Sequence, residues 1–326
     1  MKYFITGGAG FIGSNYVRML LTGQLGKVDS ITVIDNLTYA GNLKNLELVL
    51  NDPRLTFVEA NILDKQAVTK HLKNEHILVN FAAESHVDNS IKDPKKFLET
   101  NILGTQNLLE ISMQKEIKLF VQVSTDEVYG SIEKGSSDEE SNMRPNSPYA
   151  ASKASADLVV RSYVKTFGMD VRITRCSNNY GLNQHTEKFI PNTISKLLKN
   201  EKVPIYGDGS NIREWIHVED HCRGIDIVLK NGAAGEIYNI GSGFEINNLD
   251  LAKLIIQKFN KSENELEYVA DRKGHDVRYS LDFSKISKIG FVCKHTFSEG
   301  LSELIETLKN SKNESTNKIP KIMKKQ

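Results

Sequence analysis

The sequence has few of the residues that mark secreted, metal-binding or membrane proteins. Its 326 residues include three cysteines, and Cys176, Cys222 and Cys293 lie far apart without a CxxC pair. Neither a disulfide framework nor a zinc site is therefore predicted. No apolar run approaches the roughly 20 residues that a membrane helix needs. The N-terminal KYFIT runs directly into a glycine-rich turn, so we expect no signal peptide.

An excess of charge of one sign is lacking as well. The chain has 42 Lys and Arg against 41 Asp and Glu, a formal net charge of +1. This balance gives no support for a nucleic-acid or polyanion partner. The length allows one large domain or two smaller ones. We expect a cytoplasmic enzyme-sized protein with no metal, no membrane and no nucleic-acid partner.

The start of the chain predicts a βαβ unit. KYFIT at 2–6 and SITVID at 30–35 have the composition of buried strands, and GGAGFIG at 7–13 leads from the first strand into an amphipathic helix. Asp35 ends the second strand, 22 residues after Gly13. An acid near this offset meets the ribose hydroxyls of a dinucleotide and repels a 2′-phosphate, which favours NAD over NADP.

Three glycines of the turn have separate tasks in such a unit. Gly7, Gly10 and Gly13 would supply the tight turn, the close approach to a pyrophosphate and the close helix–strand packing. The N-terminus of the following helix would offer its N–H groups to the phosphates. Glycine-rich turns also occur for purely structural reasons, and the acid at Asp35 is what favours the dinucleotide site.

The alternation of strands and helices continues through the first half. Together with the first unit it predicts a Rossmann-type, doubly wound parallel α/β sheet whose ligands bind at the carboxyl ends of the strands. The predicted strands lie at 55–60, 77–83 and 118–124, and the helices at 64–73, 94–115, 147–168 and 217–232. The sequence STDEVYG, with two adjacent carboxylates, follows one of these strands at 124–130.

A catalytic pair is predicted on the helix at 147–168. Tyr149 and Lys153 are four residues apart and therefore share one helix face. An ammonium beside a phenol lowers the pKa of the tyrosine, which could then exchange a proton with a substrate alcohol while hydride moves to or from nicotinamide. Alone, the Tyr-Lys spacing also fits two solvent-exposed side chains on one helix face. The adjacent Asp126 and Glu127 also fit a solvated loop after a strand.

These motifs and others along the chain resemble the dTDP-glucose 4,6-dehydratase family of the extended short-chain dehydrogenase/reductase superfamily. Relatives that only epimerise or oxidise a nucleotide sugar usually have a small or aliphatic pair in place of Asp126 and Glu127. The matching stretches are GGAGFIG, LTYAGNL (37–43), AAESHVD (82–88), STDEVYG, SPYAASKAS (147–155), RCSNNYG (175–181), EKFIP (187–191), PIYGDG (204–209), REWIHVEDH (213–221), YNIG (238–241) and DRKGHD (271–276).

The resemblance implies a reaction in three steps on a tightly bound NAD that is regenerated in each turnover. Tyr149, with Lys153, takes the C4 hydroxyl proton while NAD⁺ accepts the C4 hydride, and Thr125 hydrogen-bonds the C4 oxygen. Glu127 then removes the C5 proton as Asp126 protonates the departing C6 hydroxyl. Hydride returns to C6, giving the 4-keto-6-deoxy sugar used in deoxysugar biosynthesis. Neighbouring carboxylates push each other's pKa values apart, which suits an acid–base pair.

The resemblance also implies two sets of binding residues. Those for NAD are Gly7, Gly10, Phe11, Ile12, Gly13, Asp35, Asn36, Leu37, Thr38, Asn61, Ile62, Phe81, Ala82, Ala83, Ser85, Thr100, Tyr149, Lys153 and Asn179. Those for the nucleotide sugar are Ser85, Thr125, Asn178, Lys188, Phe189, Pro204, Ile205, Tyr206, Arg213, Asn247, Asp271, Arg272 and His275. Asn61 replaces the usual aspartate, although its amide oxygen can still accept from the adenine amine. Residues 181–188 (GLNQHTEK) lack the usual proline and aromatics.

Two interleaved domains are predicted. The NAD-binding domain takes residues 1–176 and about 215–241, including a returning strand at 235–241. A smaller α/β sugar-nucleotide domain takes about 177–214 and 242–310. Residues 311–326 form a polar, lysine-rich tail that we expect to be partly disordered.

We expect a homodimer in which the helices 94–115 and 147–168 pair across a two-fold axis, as in similar proteins. The alternatives left open are the same reaction on UDP-glucose or another nucleotide sugar, a C4 epimerase, and a non-catalytic NAD-binding regulator. The Asp-Glu pair argues against the epimerase, and the complete catalytic set argues against the regulator.

Overall fold

The computed structural model describes residues 1–271 and 274–317, with residues 311–317 described by their backbone alone. Its strands are β1 (Lys2–Thr6), β2 (Ser30–Asp35), β3 (Leu55–Glu59), β4 (His76–Asn80), β5 (Leu119–Thr125), β6 (Val171–Cys176), β7 (Asn178–Tyr180), β8 (Val203–Tyr206), β9 (Ile212–His217), β10 (Ile237–Ile240), β11 (Glu245–Asn247) and β12 (Leu266–Val269).

The α-helices alternate with these strands through much of the chain. They are α1 (Phe11–Leu21), α2 (Lys65–His71), α3 (Val87–Lys92), α4 (Pro94–Phe97), α5 (Thr105–Gln114), α6 (Pro148–Phe167), α7 (Phe189–Leu198), α8 (Val218–Asn231), α9 (Asn248–Lys258), α10 (Ser284–Lys288) and α11 (Phe297–Asn317).

Seven strands form one parallel sheet in the order β3-β2-β1-β4-β5-β6-β10. The chain starts near the middle, builds outward to β3, then returns and builds in the other direction. This confirms the predicted Rossmann-type, doubly wound fold. In such a sheet the crevice for a ligand opens where the order reverses, at the carboxyl ends of β1 and β4.

Buried polar side chains tie the central strands together just below that crevice. The Thr6 hydroxyl donates to Asn80 Oδ1 at 2.5 Å, and Asn80 Nδ2 donates to Gln122 Oε1 at 2.8 Å. The three side chains lie on β1, β4 and β5 and are almost completely buried. Because buried polar groups are costly unless they are paired, this chain of hydrogen bonds fixes the register of the strand ends that carry the site.

A second hydrophobic core lies beside the large sheet. It is built by the three-stranded sheet β7-β9-β11, the pair β8-β12 and the helices α7, α9 and α11. Trp215 and Leu251 are buried in it, whereas Ile286 and Phe291 pack into the core of the large sheet. The chain thus passes from the second core at Leu251 to the core of the large sheet at Ile286, and α11 returns to the second core. The predicted domain boundaries themselves remain a prediction.

The predicted helix at 94–115 is helical from Pro94 to Gln114 but contains a π-helical stretch at Leu98–Gly104. At its centre Asn101 turns inward, exchanges hydrogen bonds with the backbone of Glu84 at 2.9 and 3.0 Å, and donates to the Ser152 hydroxyl at 2.8 Å. These bonds hold the helix to α6 and to the segment after β4. Such local widening of a helix often occurs at functional sites.

The last helix runs further than expected. α11 continues to Asn317, so residues 311–317 of the predicted tail are helical along their backbone. The remainder of that tail lies outside the described residues. Within the described ranges, no helix combines the length and the apolar composition needed to cross a membrane.

Candidate active site

A cavity of about 970 Å³ opens at the carboxyl ends of the central strands, between the large sheet and the second core. It gathers most of the predicted site residues from distant parts of the chain. Those on its wall are Gly7, Gly10, Phe11, Ile12, Gly13, Asp35, Asn36, Thr38, Asn61, Ile62, Phe81, Ala82, Ala83, Ser85, Thr100, Thr125, Asp126, Glu127, Tyr149, Lys153, Asn178, Asn179, Lys188, Phe189, Pro204, Tyr206, Arg213 and His275.

The glycine turn forms one end of the cavity. Gly7 has a φ of +67°, and a Cβ on Gly13 would lie 2.3 Å from the carbonyl oxygen of Gly7. The backbone of α1 therefore approaches β1 as closely as it does because residue 13 has no side chain. Among the described residues, no side chain caps the N-terminus of α1. Its first N–H groups face the cavity as a site for an anion such as a diphosphate.

Asp35 lies at the end of β2, beside the glycine turn. Its two carboxylate oxygens accept the backbone N–H groups of Ala9 and Leu37, each at 2.9 Å. Burial raises the pKa of Asp35, and these hydrogen bonds oppose the rise. The carboxylate is thus fixed by the backbone on one side and lines the cavity on the other, where its remaining lone pairs could accept from ribose hydroxyls.

The two adjacent acids lie in one turn of 3₁₀ helix, Asp126–Tyr129, directly after β5. Thr125 donates to Asp126 Oδ1 at 3.1 Å and accepts the N–H of Glu127 at 3.3 Å. Burial, with repulsion from Glu127 and Glu214, holds the pKa of Asp126 well above its usual range. Asp126 Oδ2 is buried and has no hydrogen-bond partner among the described residues. The raised pKa favours the protonated form of Asp126, which then has a proton to donate.

Tyr149 and Lys153 share the inner face of α6, as predicted, but the charges around them differ from the prediction. Burial, with Glu127, Cys176 and Asp126, raises the pKa of Tyr149 well above its usual value, and a hydrogen bond with Thr125 opposes this. Lys153 Nζ donates to the carbonyl oxygen of Val123 at 2.7 Å. The pKa of Tyr149 is therefore raised, and not lowered by Lys153 as predicted.

The opposite wall comes from the second half of the chain. Lys188 Nζ donates to the carbonyl oxygen of Ser85 at 2.9 Å, which joins the two halves across the cavity. Arg213 is 4% exposed, lies 4.4 Å above the ring of Tyr279, and donates to the carbonyl oxygen of Asp276 at 2.9 Å. Asn178 Oδ1 is buried with no hydrogen-bond partner among the described residues. Acceptors and donors thus converge on this side too.

Four predicted residues lie off the wall. Ile205 is fully buried in the second core because alternate side chains of β8 face opposite sides, so Pro204 and Tyr206 face the cavity instead. Asn247 accepts the N–H of Asp250 and caps α9. Leu37 packs against the large core, and Asp271 pairs with His275 Nδ1 at 2.7 Å.

Two further predicted site residues are Asn61 and Arg272. Asn61 lines the cavity, but its amide oxygen accepts the N–H of Leu63 at 2.9 Å, so one lone pair is already used within the chain. Arg272 lies outside the described residues. Whether each predicted side chain contacts a ligand stays a prediction.

Several side chains on the cavity wall were not among those predicted from the sequence. Trp215 and Tyr279 line it, and Trp215 Nε1 is buried without a hydrogen-bond partner among the described residues. His86 and Glu187 meet at the same wall, with His86 Nε2 and Glu187 Oε2 3.7 Å apart. Trp215, His86 and Glu187 lie within stretches already singled out as motifs. The hydrophobic pattern of those stretches did not indicate which of their side chains face the cavity.

Known proteins are similar to this chain along nearly its whole length. The family model for GDP-mannose 4,6 dehydratase matches residues 4–304. A dTDP-glucose 4,6-dehydratase of Actinoplanes sp. is 47% identical over 94% of this chain and 97% of its own length. The chain belongs to the dTDP-glucose 4,6-dehydratase family.

Two solved structures place this family in its wider fold group. DesIV, a dTDP-glucose 4,6-dehydratase from Streptomyces venezuelae with NAD bound, is 49% identical, with a TM-score of 0.94 over 96% of this chain and 98% of that one. The UDP-glucose 4-epimerase of Thermotoga maritima has a TM-score of 0.87 at 28% identity, over 95% of this chain and 99% of that one. The fold is therefore shared with epimerases, and the site residues must separate the two activities.

The raised pKa of Asp126 leads to a prediction about stability. When burial raises the pKa of an acid, the folded protein holds the proton of that acid at pH values where the unfolded chain has lost it. The free energy of unfolding therefore falls as the pH rises above the ordinary aspartate pKa. Asp126→Asn should therefore increase the free energy of unfolding, and the gain over the unsubstituted protein should grow from pH 5 to pH 8. Urea unfolding at several pH values measures it.

The control is Asp208→Asn. Asp208 is exposed, and hydrogen bonds with Ser210 lower its pKa. Its replacement should give no stabilisation that grows with pH. A gain for Asp126→Asn that is the same at pH 5 and pH 8 would contradict the protonated state assigned to Asp126.

Proposed function

We propose that this chain catalyses the conversion of dTDP-glucose to dTDP-4-keto-6-deoxy-glucose with recycled NAD, a hydro-lyase reaction. The observation that carries the proposal is the buried Asp126, whose pKa is raised, beside Glu127 in the same cavity as Tyr149 and Lys153. An epimerase needs a base at C4 but no acid–base pair at C5 and C6. Membership of the dTDP-glucose 4,6-dehydratase family supports the same assignment.

The cavity fits NAD by its shape and its donor set. The close approach of Gly13 to Gly7 leaves room for a diphosphate at the N-terminus of α1, and Asp35 lies where ribose hydroxyls would be met. When bound, NAD supplies the hydride acceptor for C4, a positive ring charge in its oxidised form, and the hydride that C6 later receives. Gly7, Gly10, Gly13 and Asp35 would hold it.

Tyr149 acts in the first half of the reaction. It removes the proton of the C4 hydroxyl, and the Thr125 hydroxyl would turn from Asp126 Oδ1 to donate a hydrogen bond to the C4 oxygen. Because burial and Glu127 raise the pKa of Tyr149, its ionisation depends on positive charge near the ring. Lys153 lines the same cavity and, in this proposal, supplies part of that charge together with the oxidised nicotinamide ring of bound NAD.

Asp126 and Glu127 act in the second half. Once C4 is a ketone, the C5 proton is acidic, and Glu127 removes it as the general base. Asp126 gives its proton to the C6 hydroxyl, which leaves as water, and the C5–C6 double bond forms. After hydride reaches C6, a proton returns to C5. The raised pKa of Asp126 suits the role of acid, because a buried carboxyl beside a second carboxyl ionises less readily.

The nucleotide and the sugar would bind along the wall formed by the second half of the chain. Arg213, held between Tyr279 and the Asp276 carbonyl, presents a fixed guanidinium for the diphosphate. Thymine is favoured over uracil by the family relationship. The same reaction on UDP-glucose is the second candidate.

The decisive test follows a label through one turnover. dTDP-glucose deuterated at C4 is incubated with the protein, without added NAD, in ordinary water. We expect deuterium at C6 of a 4-keto-6-deoxy product, because the hydride taken from C4 is returned to C6 of the same molecule. Recovery of dTDP-galactose would identify an epimerase. If UDP-glucose reacted and dTDP-glucose did not, the proposed chemistry would stand and the substrate would change. If neither sugar nucleotide reacted, the proposal would be overturned.

The base is tested by Glu127→Gln. This variant should oxidise C4 and reduce the bound NAD slowly, but product formation should fall by at least about a hundredfold because the C5 proton has no acceptor. Absorbance at 340 nm follows the first event and quenched product analysis the second. The exposed Glu133→Gln serves as the control and should behave as the unsubstituted protein does. Unchanged turnover of Glu127→Gln would remove Glu127 from its role.

We also propose that the protein is a homodimer with a cytoplasmic location. Apolar side chains are exposed on the two helices predicted to pair, and Leu103 and Leu158 are each 54% exposed. Exposed apolar side chains clustered on neighbouring helices favour burial against another subunit.

Light scattering at micromolar concentration should give about twice the chain mass of 36.6 kDa. Leu158→Asp should shift the protein towards the monomer because a charge cannot be buried in an apolar interface without a partner. Val292→Asp, at a side chain that is 72% exposed elsewhere on the surface, is the control. A monomeric unsubstituted protein would contradict this proposal.

A further inference from the structure

A buried arginine joins the two catalytic elements behind the cavity. Arg175, at the end of β6, is 1% exposed, and its Nε donates to Asp157 Oδ2 at 2.9 Å. Its Nη1 donates to the hydroxyl of Tyr129 at 2.9 Å, and its guanidinium lies 4.8 Å from the centre of the Tyr129 ring. One side chain therefore contacts both the helix α6 and the turn after β5.

The partners on either side are close to the reacting groups in sequence. Asp157 lies one helical turn beyond Lys153 on α6. Burial lowers the pKa of Lys153, and the Asp157 carboxylate opposes that lowering. Tyr129 ends the same single turn of 3₁₀ helix that begins at Asp126. A displacement of Tyr129 would thus move the acid–base pair relative to Tyr149.

Tyr129 is held on both sides of its hydroxyl. The hydroxyl accepts from Arg175 and donates to Asn239 Oδ1 at 2.8 Å, while Asn239 is itself fixed by donating to the carbonyl oxygens of Ser137 and Asp282 at 3.0 and 3.1 Å. Burial raises the pKa of Tyr129 to about 12, so the hydroxyl keeps the proton that it donates. The side chains of Asp157, Arg175, Tyr129 and Asn239 are all buried, so each is expensive to leave unpaired.

We propose that Arg175 and Tyr129 are positioning residues for the elimination step, which hold the Asp126–Tyr129 turn at a fixed distance from the Tyr149–Lys153 face of α6. Neither side chain lies on the wall of the main cavity. Both act through Asp126 and Glu127, whose oxygens must meet C6 and C5 of the sugar at the same time. This inference rests on the proposed function, since it assigns support to one step of that reaction.

The geometry predicts that the two halves of the reaction respond differently. Tyr149 and Lys153 are carried by α6, which keeps its ion pair from Asp157 to Arg175 when only the Tyr129 hydroxyl is removed. C4 oxidation should then be retained. Elimination requires two carboxyls placed at two adjacent carbons, and small misplacements of such groups cost large factors in rate.

The test is Tyr129→Phe in single-turnover experiments with the protein in its NAD-bound form and dTDP-glucose. Oxidation is followed at 340 nm, and product is measured after chemical quenching. We expect the oxidation rate to stay within about twofold and product formation to fall by about tenfold to a hundredfold. Arg175→Lys keeps a charge opposite Asp157 but lacks a second nitrogen for Tyr129, and it should give the same separation of rates.

The matched control is Tyr238→Phe. Tyr238 is also buried on β10, next to Asn239, and its hydroxyl accepts the N–H of Ala233 at 2.8 Å. This variant also loses a hydrogen bond of a buried tyrosine hydroxyl but has no tie to the turn, so both rates should match those of the unsubstituted protein. Thermal unfolding of each variant establishes that it is folded.

Two results would overturn the inference. Equal slowing of oxidation and product formation in a folded Tyr129→Phe variant would assign the network to general support of the site. Unchanged rates in that variant would remove any positioning role. Failure of the unsubstituted protein to convert dTDP-glucose would instead overturn the proposed function, so the two failures are distinct.

Discussion

Two carboxyl groups placed side by side at the end of a buried strand set the requirements for the rest of this site. Asp126 is almost completely buried, and Glu127 and Glu214 add negative charge near it. Such a group is stable in a folded protein when it keeps its proton. The raised pKa thus favours an Asp126 that carries a proton, which the proposed reaction needs for the departing hydroxyl.

That arrangement costs stability, and the surrounding structure offsets the cost with buried hydrogen bonds. Thr6, Asn80 and Gln122 lock the central strands beneath the site, and Asn101 ties the π-helical stretch to α6. Arg175 adds a charge-paired link between α6 and the turn of the acids.

Local patterns were sufficient to predict most of the large sheet. The strands at 2–6 and 30–35 and the helix at 217–232 agree with β1, β2 and α8 to within a residue at each end. Each has an apolar pattern that matches its own period, and glycine or polar residues mark its ends. Since parallel strands present their carboxyl ends at one edge, the positions of STDEVYG and the glycine turn also predicted where the cavity would lie.

Predictions failed where a contact from a distant part of the chain decides the outcome. The π-helical stretch depends on bonds from Asn101 to Glu84 and Ser152, which no helical period contains. Ile205 faces the second core rather than the cavity because β8 packs its alternate side chains against α7 and α9, and a motif match does not state which face a strand presents.

The sequence by itself predicted the fold class and the dinucleotide turn, because each depends on residue types at short, fixed spacings. The resemblance to the family singled out the two acids, the tyrosine and the lysine. The tertiary structure alone decided the charge states. Tyr149 has a raised pKa, not the lowered one that its spacing from Lys153 suggested, since burial and the carboxyls of a different element outweigh one helix neighbour. The link from Arg175 to Tyr129 and Asp157 was likewise decided by packing. Burial and long-range charge are properties of the assembled molecule, and no stretch of sequence contains them.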